Sequence, residues 1–235
     1  MNFTEDNVND KNLEEILLAL KSLDAVEAVA LGGSRSTGEA DENSDYDIYV
    51  YCSEIPTGKT RENLLGKYCS VAEFGNHYWE SEDNTVMNNG TPVDIIYREI
   101  DRFGGYIDTV IKGGKAFNGY TTAFWHNIRN SKVLFDKTGT FTKFRDMAQI
   151  DYPENLRRAI IKNNCSLLSG KLPSYDRQIK KMQERGDIVS VNHRITAFLE
   201  SYFDVIFALN RQTRPAEIRQ VQLCKKYCTL LPKNF

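Results

Sequence analysis

Two aspartates, Asp45 and Asp47, stand on either side of Tyr46 at the start of a β-rich run that ends at Cys52. Residues two apart in a strand point to the same face, with Cα atoms about 7 Å apart. Carboxylates at that separation repel each other by on the order of 2 kcal/mol at an effective dielectric of roughly 20. A divalent cation would relieve this repulsion, and oxygen ligands alone suit Mg²⁺. A pair of solvated loop acids is the alternative interpretation.

A glycine–serine turn precedes the two aspartates. The apolar run 26–31 ends at Gly32 and Gly33, and Ser34 follows. A turn that leads from a strand into a helix offers backbone N–H groups and a hydroxyl to anionic oxygens. A third acid, Asp94, lies within another apolar run, where a carboxylate is unfavourable unless it is paired, bound to a metal or turned outward. Three acids beside such a turn predict a two-metal phosphoryl-transfer site.

Two other motif interpretations account for fewer of these residues. Gly33 and Gly38 have the spacing of a Walker loop, but Glu39 occupies the position that requires lysine. A glycosyltransferase that uses the Asp45-x-Asp47 pair would leave the glycine–serine turn and the third acid without a function. Phosphoryl transfer therefore explains the pattern best.

Composition limits the class of protein. The chain has 235 residues, of which 41% are hydrophobic and 26% charged, as in soluble globular proteins. Its 30 basic and 32 acidic residues give a formal charge of −2. This balance disfavours nucleic acid as a partner because backbone binding requires a broad positive surface. A local basic patch for a triphosphate remains compatible with it.

Cysteine usage and the amino terminus indicate the compartment. The five cysteines include no C-x-x-C pair, which favours free thiols in a reducing compartment. The acidic start MNFTEDNVND lacks the apolar segment of a signal peptide. No stretch reaches the roughly 20 apolar residues that cross a bilayer. We therefore expect a cytoplasmic protein without a membrane segment.

Helix and strand signals predict an α+β fold, with an N-terminal mixed-sheet core followed by a C-terminal α-helical bundle. The expected domains are residues 1–148 and 149–235. Asp10 is the expected N-cap of the first helix, Ser174 that of a later one, and Gly186 is an expected helix end. The expected helices are 11–23, 60–72, 153–171, 174–185 and 187–210, and the expected strands are 26–31, 46–52 and 92–97.

The segment G-G-S-R-S-T-G…S-D-Y-D-I, joined to the later V-D-I-I, resembles the DNA polymerase β-type nucleotidyltransferase superfamily. Within it, the chain is similar to small bacterial enzymes that nucleotidylate aminoglycosides or lincosamides. The helical half, notably F-D-V-I-F-A-L-N-R, resembles a helical domain appended to this core in bacterial proteins. The resemblance covers about residues 26–100 in the core.

The resemblance assigns roles to particular positions. Gly33 and Ser34 match the pair that holds the triphosphate. Asp45 and Asp47 match the carboxylates that bind both of two Mg²⁺ ions. Asp94 matches the third carboxylate, which ligates the metal nearest the incoming hydroxyl. The implied substrate is a nucleoside triphosphate, with ATP as the expected one.

Other residues are candidates for binding or proton transfer. Arg35 is expected either to contact the phosphates or to be solvated. The segment 187–210 has an apolar stripe that is expected to face the core and comprises Ile188, Val191, Ile195, Leu199, Tyr202, Ile206 and Leu209. His193, Glu200 and Asp204 fall on another helical face, and Arg211 follows on the same line. This line is either solvated surface or the border of a cleft, where Glu200 or Asp204 would act as the general base. The positive charges expected to reach the triphosphate from the helical half are Arg211, Lys225 and Lys226.

The expected reaction is attack by an acceptor hydroxyl on the α-phosphorus, with release of pyrophosphate. A small molecule is the expected acceptor, and a cationic one would suit four acids close to Phe74, Tyr78 and Trp79, aromatic residues that are themselves expected in the core. These acids are Glu73, Glu80, Glu82 and Asp83. The alternatives are nucleotidylation of a protein or RNA in a regulatory or toxin–antitoxin setting, and a non-catalytic nucleotide-binding module. The sequence leaves the acceptor, the nucleotide base and the oligomeric state open.

Overall fold

The computed structural model describes residues 10–38, 40–41 and 44–235; Glu39, at the Walker-lysine position, lies outside them. The chain divides into two compact units. The first comprises residues up to Gly105 together with Asn127–Gln149, and the second comprises Tyr106–His126 together with Ile150–Phe235.

The two units differ from the expected division at residue 148, because the segment Tyr106–His126 belongs to the second unit. Its backbone is tied to the C-terminal helices, since Gly119 N donates to Asn164 Oδ1 (3.1 Å) and Thr121 N donates to Asp204 Oδ2 (3.2 Å). Such contacts between distant parts of the chain leave no trace in local periodicity. The boundaries 1–148 and 149–235 stay a prediction about functional domains.

A six-stranded mixed sheet forms the centre of the first unit. Its order is β3-β4-β5-β2-β1-β6, in which β2 and β5 are parallel and the other neighbours are antiparallel. A short 3₁₀ turn at Gly66–Tyr68 precedes β3. The strands and helices up to the second unit's main helices are α1 (Lys11–Lys21), β1 (Val26–Leu31), α2 (Gly33–Thr37), β2 (Tyr46–Cys52), α3 (Gly58–Leu65), β3 (Cys69–Asn76), β4 (Ser81–Met87), β5 (Pro92–Glu99), α4 (Ile100–Ile111), α5 (Ala123–Asn130), β6 (Lys132–Asp136) and α6 (Thr140–Met147).

One face of this sheet carries the apolar core, on which α1 and α3 pack. Strand β2 alternates, so that Ile48, Val50 and Cys52 are buried in the core while Asp47 and Tyr49 point to the other face. Helix α1 contributes four leucine and isoleucine side chains that are fully buried there. Burial of each such side chain stabilises the fold by about 1.5–3 kcal/mol. The alternation thus leaves one sheet face available for polar groups.

Local signals located several of these elements correctly. Asp10 caps α1 as expected, because its Oδ1 accepts from Asn12 N (2.9 Å) and Leu13 N (3.5 Å). The first two strands have the expected bounds, and β5 extends two residues beyond the expected end. Residues with clear period-2 or capping patterns therefore adopted the structure that the patterns indicate.

The expected helix 60–72 was wrong in its second half. Helix α3 ends at Leu65, and residues from Cys69 onward form β3, which pairs with β4. Cross-strand pairing, which depends on a distant segment, overrides the helical pattern here. Tyr78 and Trp79, which were expected in the core, lie between β3 and β4 and are 78% and 89% exposed.

The second unit contains a helical bundle in which α9 contacts the other three helices. Gly186 ends the helix before α9 with φ +70°, as expected. Ser174 occupies the N-cap position of α8, but its hydroxyl donates to the Lys171 carbonyl and lies against Asp176. The helices are α7 (Glu154–Leu168), α8 (Tyr175–Glu184), α9 (Ile188–Leu209) and α10 (Gln220–Tyr227).

The buried face of α9 differs from the expected apolar stripe. Val191 and Ile206 are buried, but Ile188, Ile195 and Leu199 are exposed. The second half of the helix is buried nearly all round, including residues 203–208. A stripe calculated from one helix cannot show this change, because the packing helices cover different parts of its length.

The expected fold class, a mixed-sheet α+β core followed by a helical region, is confirmed. All five cysteines are free thiols. Within the described ranges, no helix combines the length and apolar character that crossing a membrane requires.

Candidate active site

The glycine turn after β1 packs directly against Asp47, the aspartate within β2. Gly33 begins α2 with φ +59°, and a Cβ atom at this position would lie 1.7 Å from Asp47 Oδ2. Gly32 N donates to Asp47 O (2.8 Å), and a Cβ on Gly32 would lie 2.3 Å from the Tyr49 ring. Only glycine permits this approach, so the turn and the carboxylate form one structural unit.

Asp47 and Asp94 are direct neighbours in the sheet. They are register partners in the parallel pair β2–β5, whose backbones run about 4.8 Å apart. Asp45 precedes β2 by one residue and is partly buried, as are the other two. The structure thus brings together the three acids that the sequence predicted as one cluster.

The pKa of Asp47 reports the crowding of these carboxylates. Burial, as the largest cause, and the charges of Asp45 and Asp94 together raise the pKa of Asp47 from its ordinary value to about 6. Among the described residues, no lysine, arginine or histidine forms a salt bridge with any of the three acids. The cluster therefore carries uncompensated negative charge next to the glycine turn.

An asparagine that sequence analysis missed contacts the third acid. Asn84 Nδ2 donates to Asp94 Oδ1 (3.0 Å), and Asn84 is the register partner of Asp94 in the antiparallel pair β4–β5. Nothing in the local sequence around Asn84 indicates this contact. Only the pairing of β4 with β5 reveals it.

Arg35 supports the start of β2 in the structure. Its guanidinium donates to the backbone oxygens of Ser44 (Nε, 3.1 Å) and Asp45 (Nε, 2.9 Å) and stacks over the Tyr46 ring at 4.0 Å. These contacts hold the segment that carries the first acid. A direct contact of Arg35 with phosphate stays a prediction.

A buried arginine, also missed, lies farther along the same face of β5. Arg98 is four residues after Asp94 and so points to the same side. Its Nη2 and Nε bind Glu80 at 2.7 Å each, and its guanidinium lies 4.4 Å from the Tyr49 ring centre. The period of two from Asp94 could have indicated this placement. Arg98 thus supports Tyr49, the ring on which Gly32 packs.

The four acids expected to suit a cationic acceptor separate in the structure. Glu73 and Glu82 lie on strands β3 and β4, on the face that carries Asp94. Partial burial raises the pKa of Glu82, as does repulsion from Asp94. Glu80 is paired with Arg98. Asp83 is buried on the core face, where it pairs with an arginine, so its expected role in acceptor binding was wrong.

The candidates in the helical half belong to the second unit. Glu200 is partly buried and lines a pocket of about 460 Å³ together with Tyr120 and Arg214. Arg211 donates to Glu154 Oε2 (3.2 Å). Lys225 and Lys226 are exposed in α10. Their predicted roles as general base and phosphate-binding charges stay predictions.

Asp204 does not belong to an exposed polar line. It is buried, accepts from Thr121 N, and lies 3.5 Å from Arg214 Nη1. The expectation that it acts as a solvated or cleft-bordering acid was wrong, because helical angle alone does not reveal burial by a distant segment. Asp204 stabilises the second unit as part of a buried ion pair.

The carboxylate oxygens of the three acids can be compared with the ligands that a divalent metal ion requires. The three acids offer only oxygen ligands, which suit Mg²⁺, and their mutual repulsion would be relieved by a cation. Within the described part of the chain, no three histidine, cysteine or acidic side chains are close enough to hold an ion by themselves. Mg²⁺ is bound in proteins through one or two carboxylates with water and substrate phosphates, so these residues fit that mode.

Comparisons with known proteins match two segments of the chain to family models. Residues 13–116 match a family model described as "Nucleotidyltransferase domain". Residues 122–217 match one described as "Domain of unknown function (DUF4037)". No curated protein matches the chain.

Similar solved structures are distant in sequence. A nucleotidyltransferase-like protein from Exiguobacterium sibiricum has 8% identity and a TM-score of 0.42 over 94% of this chain, which spans only 62% of that protein. An aminoglycoside 6-adenyltransferase from Bacillus subtilis has 11% identity and a TM-score of 0.34, covering 94% of this chain and 76% of the other. The Thermotoga maritima CCA-adding enzyme, in complex with tRNA, has 12% identity and a TM-score of 0.33, covering 97% and 68%.

The first family model covers the glycine turn, all three clustered acids and Asn84. The assignment rests on this match. By this match, residues 13–116 are a nucleotidyltransferase domain, an enzyme domain that transfers nucleotidyl groups.

Proposed function

We propose that this protein transfers a nucleoside monophosphate from a nucleoside triphosphate, with ATP as the first candidate, to a hydroxyl of a small molecule. The observation that carries the proposal is the row of Asp47 and Asp94 on adjacent strands, with Gly33 packed against the Asp47 carboxylate. This arrangement combines a concentration of negative charge with a strand-to-helix turn whose backbone N–H groups suit anionic oxygens. Nucleotidyl transfer uses both features.

Asp45, Asp47 and Asp94 would hold Mg²⁺. When bound, Mg²⁺ would neutralise charge on the phosphoryl oxygens and lower the pKa of the attacking hydroxyl. The backbone N–H groups at Gly33 and Ser34 would bind the triphosphate oxygens, as turns of this type do.

In the proposed reaction, the acceptor oxygen forms a bond to the α-phosphorus while the bond from that phosphorus to the β-phosphate oxygen breaks. Pyrophosphate leaves, and the hydroxyl proton passes to a base. Glu200 is the predicted base. The protein contributes mainly position and charge, since phosphoryl transfer requires little covalent chemistry from side chains.

The charge of the sheet face supports a cationic acceptor. Glu73 and Glu82 lie on the same face as Asp94, on β3 and β4, the two strands on one side of β5. Amino groups of an aminosugar would be attracted to this surface. An aminoglycoside-like molecule is therefore the first acceptor to test, followed by lincosamides.

Pyrophosphate release tests the proposal. The assay combines Mg²⁺, each of the four NTPs and a panel of aminoglycosides and lincosamides. Asp47→Asn and Asp94→Asn should each lower turnover about 1,000-fold, because metal stabilisation supplies several kcal/mol and each 1.36 kcal/mol is tenfold.

Asp24→Asn is the matched control, since it makes the same charge change in an exposed turn of the first unit. Wild-type turnover by a folded Asp47→Asn variant would refute the proposed mechanism. Silence across the panel with retained ATP binding would refute the small-molecule acceptor and favour a protein or RNA target.

A further inference from the structure

A line of hydrogen-bonded side chains leads to Asp94 from the edge of the sheet. Asn84 Nδ2 donates to Asp94 Oδ1 (3.0 Å), and Asn76 Nδ2 donates to Asn84 Oδ1 (2.8 Å). Asn76 Nδ2 also lies 3.4 Å from Glu73 Oε2. Two amides thus connect a carboxylate of the catalytic cluster to an acidic residue on β3.

The register of the sheet fixes this line. Asp47, Asp94, Asn84 and Glu73 are successive register partners across β2, β5, β4 and β3. Paired residues point to the same face, and neighbouring strands are about 4.8 Å apart. A side chain in this row has little freedom to move along the strand direction.

The contacts determine the orientation of the Asn84 amide. Its oxygen accepts from Asn76, so its NH₂ group faces Asp94. Rotation of the amide by 180° would place its oxygen against the Asp94 carboxylate and its NH₂ against the Asn76 NH₂, which are both repulsive arrangements. The Asn76 contact therefore selects the orientation in which Asn84 donates to Asp94.

Asn84 donates a hydrogen bond to Asp94, which lies close to other negatively charged side chains. A hydrogen bond to one carboxylate oxygen restricts rotation of the carboxyl group about its Cβ–Cγ bond. The second oxygen of Asp94 then has a defined position. Partners of metal-binding carboxylates orient them in this way in other metal sites.

We propose that Asn84 is a positioning residue for Asp94, and that Asn76 acts through Asn84. This inference rests on the proposed function, because it assumes that Asp94 binds the divalent ion. Asn84 holds the carboxylate in the orientation that binds the ion, and Asn76 holds the amide in the orientation that donates.

A purely structural role makes a different prediction. If Asn84 only stabilised the β4–β5 pairing, its replacement would lower thermal stability and leave metal affinity and turnover of the folded protein unchanged. Asn84→Leu keeps the branched shape of the side chain and removes the donor, and Asn84→Ala removes the donor and most of the side chain. Asn88→Ala is the matched control, since Asn88 follows β4, is exposed and donates to Lys67 O (3.1 Å) away from the row.

The test measures Mn²⁺ binding by the full chain through the electron paramagnetic resonance signal of free Mn²⁺, together with kcat, KM and thermal midpoint. Asn84→Leu and Asn84→Ala should weaken Mn²⁺ binding and lower kcat/KM by roughly 10- to 100-fold, the range for lost carboxylate partners. Asn76→Ala should have a smaller effect, which should disappear in the Asn84→Leu background. Asn88→Ala should resemble the wild type.

The outcomes separate this inference from the proposed function. Wild-type Mn²⁺ affinity in both Asn84 variants, with weakened binding in Asp94→Asn, would overturn the positioning role alone. Unchanged Mn²⁺ affinity and turnover in Asp94→Asn would overturn the proposed function as well. If no acceptor supports turnover, Mn²⁺ affinity of the same variants decides the question, and a wild-type chain that binds no Mn²⁺ also overturns the inference.

Discussion

The two faces of the central sheet treat aspartate in opposite ways. On the core face, Asp83 is fully buried, accepts from Gly75 N (2.8 Å) and lies 3.5 Å from Arg61 Nη1. On the other face, Asp47 and Asp94 are adjacent, and among the described residues no cationic side chain forms a salt bridge with either.

The difference shows how function can be separated from stability within one sheet. A buried charge is tolerated on the core face because it is paired and hydrogen-bonded. The opposite face retains a repulsion that folding alone does not require. Such an unrelieved conflict is expected where a ligand completes the structure. Side-chain alternation allows both solutions to coexist in the strand group β2, β5 and β4.

Removal of the core-face counterion is the largest expected change in stability. Arg61→Met leaves Asp83 buried without its partner, and the free energy of unfolding should fall by about 3–5 kcal/mol at pH 8. The loss should be smaller at pH 5, because burial raises the pKa of Asp83 and the unpaired carboxyl can take up a proton. Urea unfolding at both pH values measures this.

A double variant sharpens this test. Adding Asp83→Leu to Arg61→Met should recover much of the lost stability, since an apolar pair can replace a buried ion pair. An Arg61→Met variant as stable as the wild type would mean that the core-face pair does not differ from the open acids in the way proposed.

Removal of the Asp47 charge on the other face should have a moderate effect of opposite sign, since burial and the neighbouring acids both disfavour that charge. The pKa of Asp47 is raised to about 6 in the folded protein, so folding favours the protonated form. Stabilisation by that form is complete below the unfolded pKa and is lost as pH rises through about 6.

Asp47→Asn imitates the protonated acid. In the absence of divalent ions, its free energy of unfolding at pH 8 should exceed that of the wild type by roughly 1–3 kcal/mol, and the gain should vanish near pH 4. Urea unfolding in EDTA at pH 4, 6 and 8 measures the difference. Equal stability at pH 8 would show that burial and repulsion do not appreciably disfavour the Asp47 charge.

The smallest expected change in stability concerns Gly33 and Gly38, at the two ends of α2. Gly33 and Gly38 both have positive φ, but only at Gly33 would a Cβ meet Asp47, whereas at Gly38 nothing lies within 4 Å. Gly38→Ala should lower stability by about 1 kcal/mol because of the left-handed backbone, and Gly33→Ala should lower it by more because its Cβ also meets Asp47.

Gly33→Ala and Gly38→Ala should differ clearly in turnover. Gly33→Ala displaces the Asp47 carboxylate and should lower pyrophosphate release about 100-fold, as misplacement by about 1 Å does in enzymes. Gly38→Ala should remain close to the wild type. Equal turnover of the two variants would show that contact between the turn and the acid has no catalytic importance.

Prediction from the sequence succeeded where the relevant interactions are local. The cap at Asp10, the strand 46–52 and the glycine turn at Gly33 depend on residues a few positions apart. The spacing of Asp45 and Asp47 also follows from the strand period of two. The resemblance to a known superfamily then joined Asp94 to this pair.

Prediction failed where a side chain is covered by a distant segment. Asp204 was placed on a polar face of α9, yet the chain around Thr121 buries it and Arg214 pairs with it. Trp79 was expected in the core and is exposed. In both cases the residue type and helical or strand period were uninformative, because burial depends on which other element packs there.

The sequence by itself determined strands β1, β2 and β5, the turn and the identity of the acids, since backbone geometry and side-chain period are properties of short segments. Only the tertiary structure decided that Asp94 pairs in register with Asp47, that Asn84 donates to it, and that Arg98 and Asp83 occupy opposite faces. Strand register depends on contacts between segments that are dozens of residues apart, and a shift of one residue would reverse every side chain.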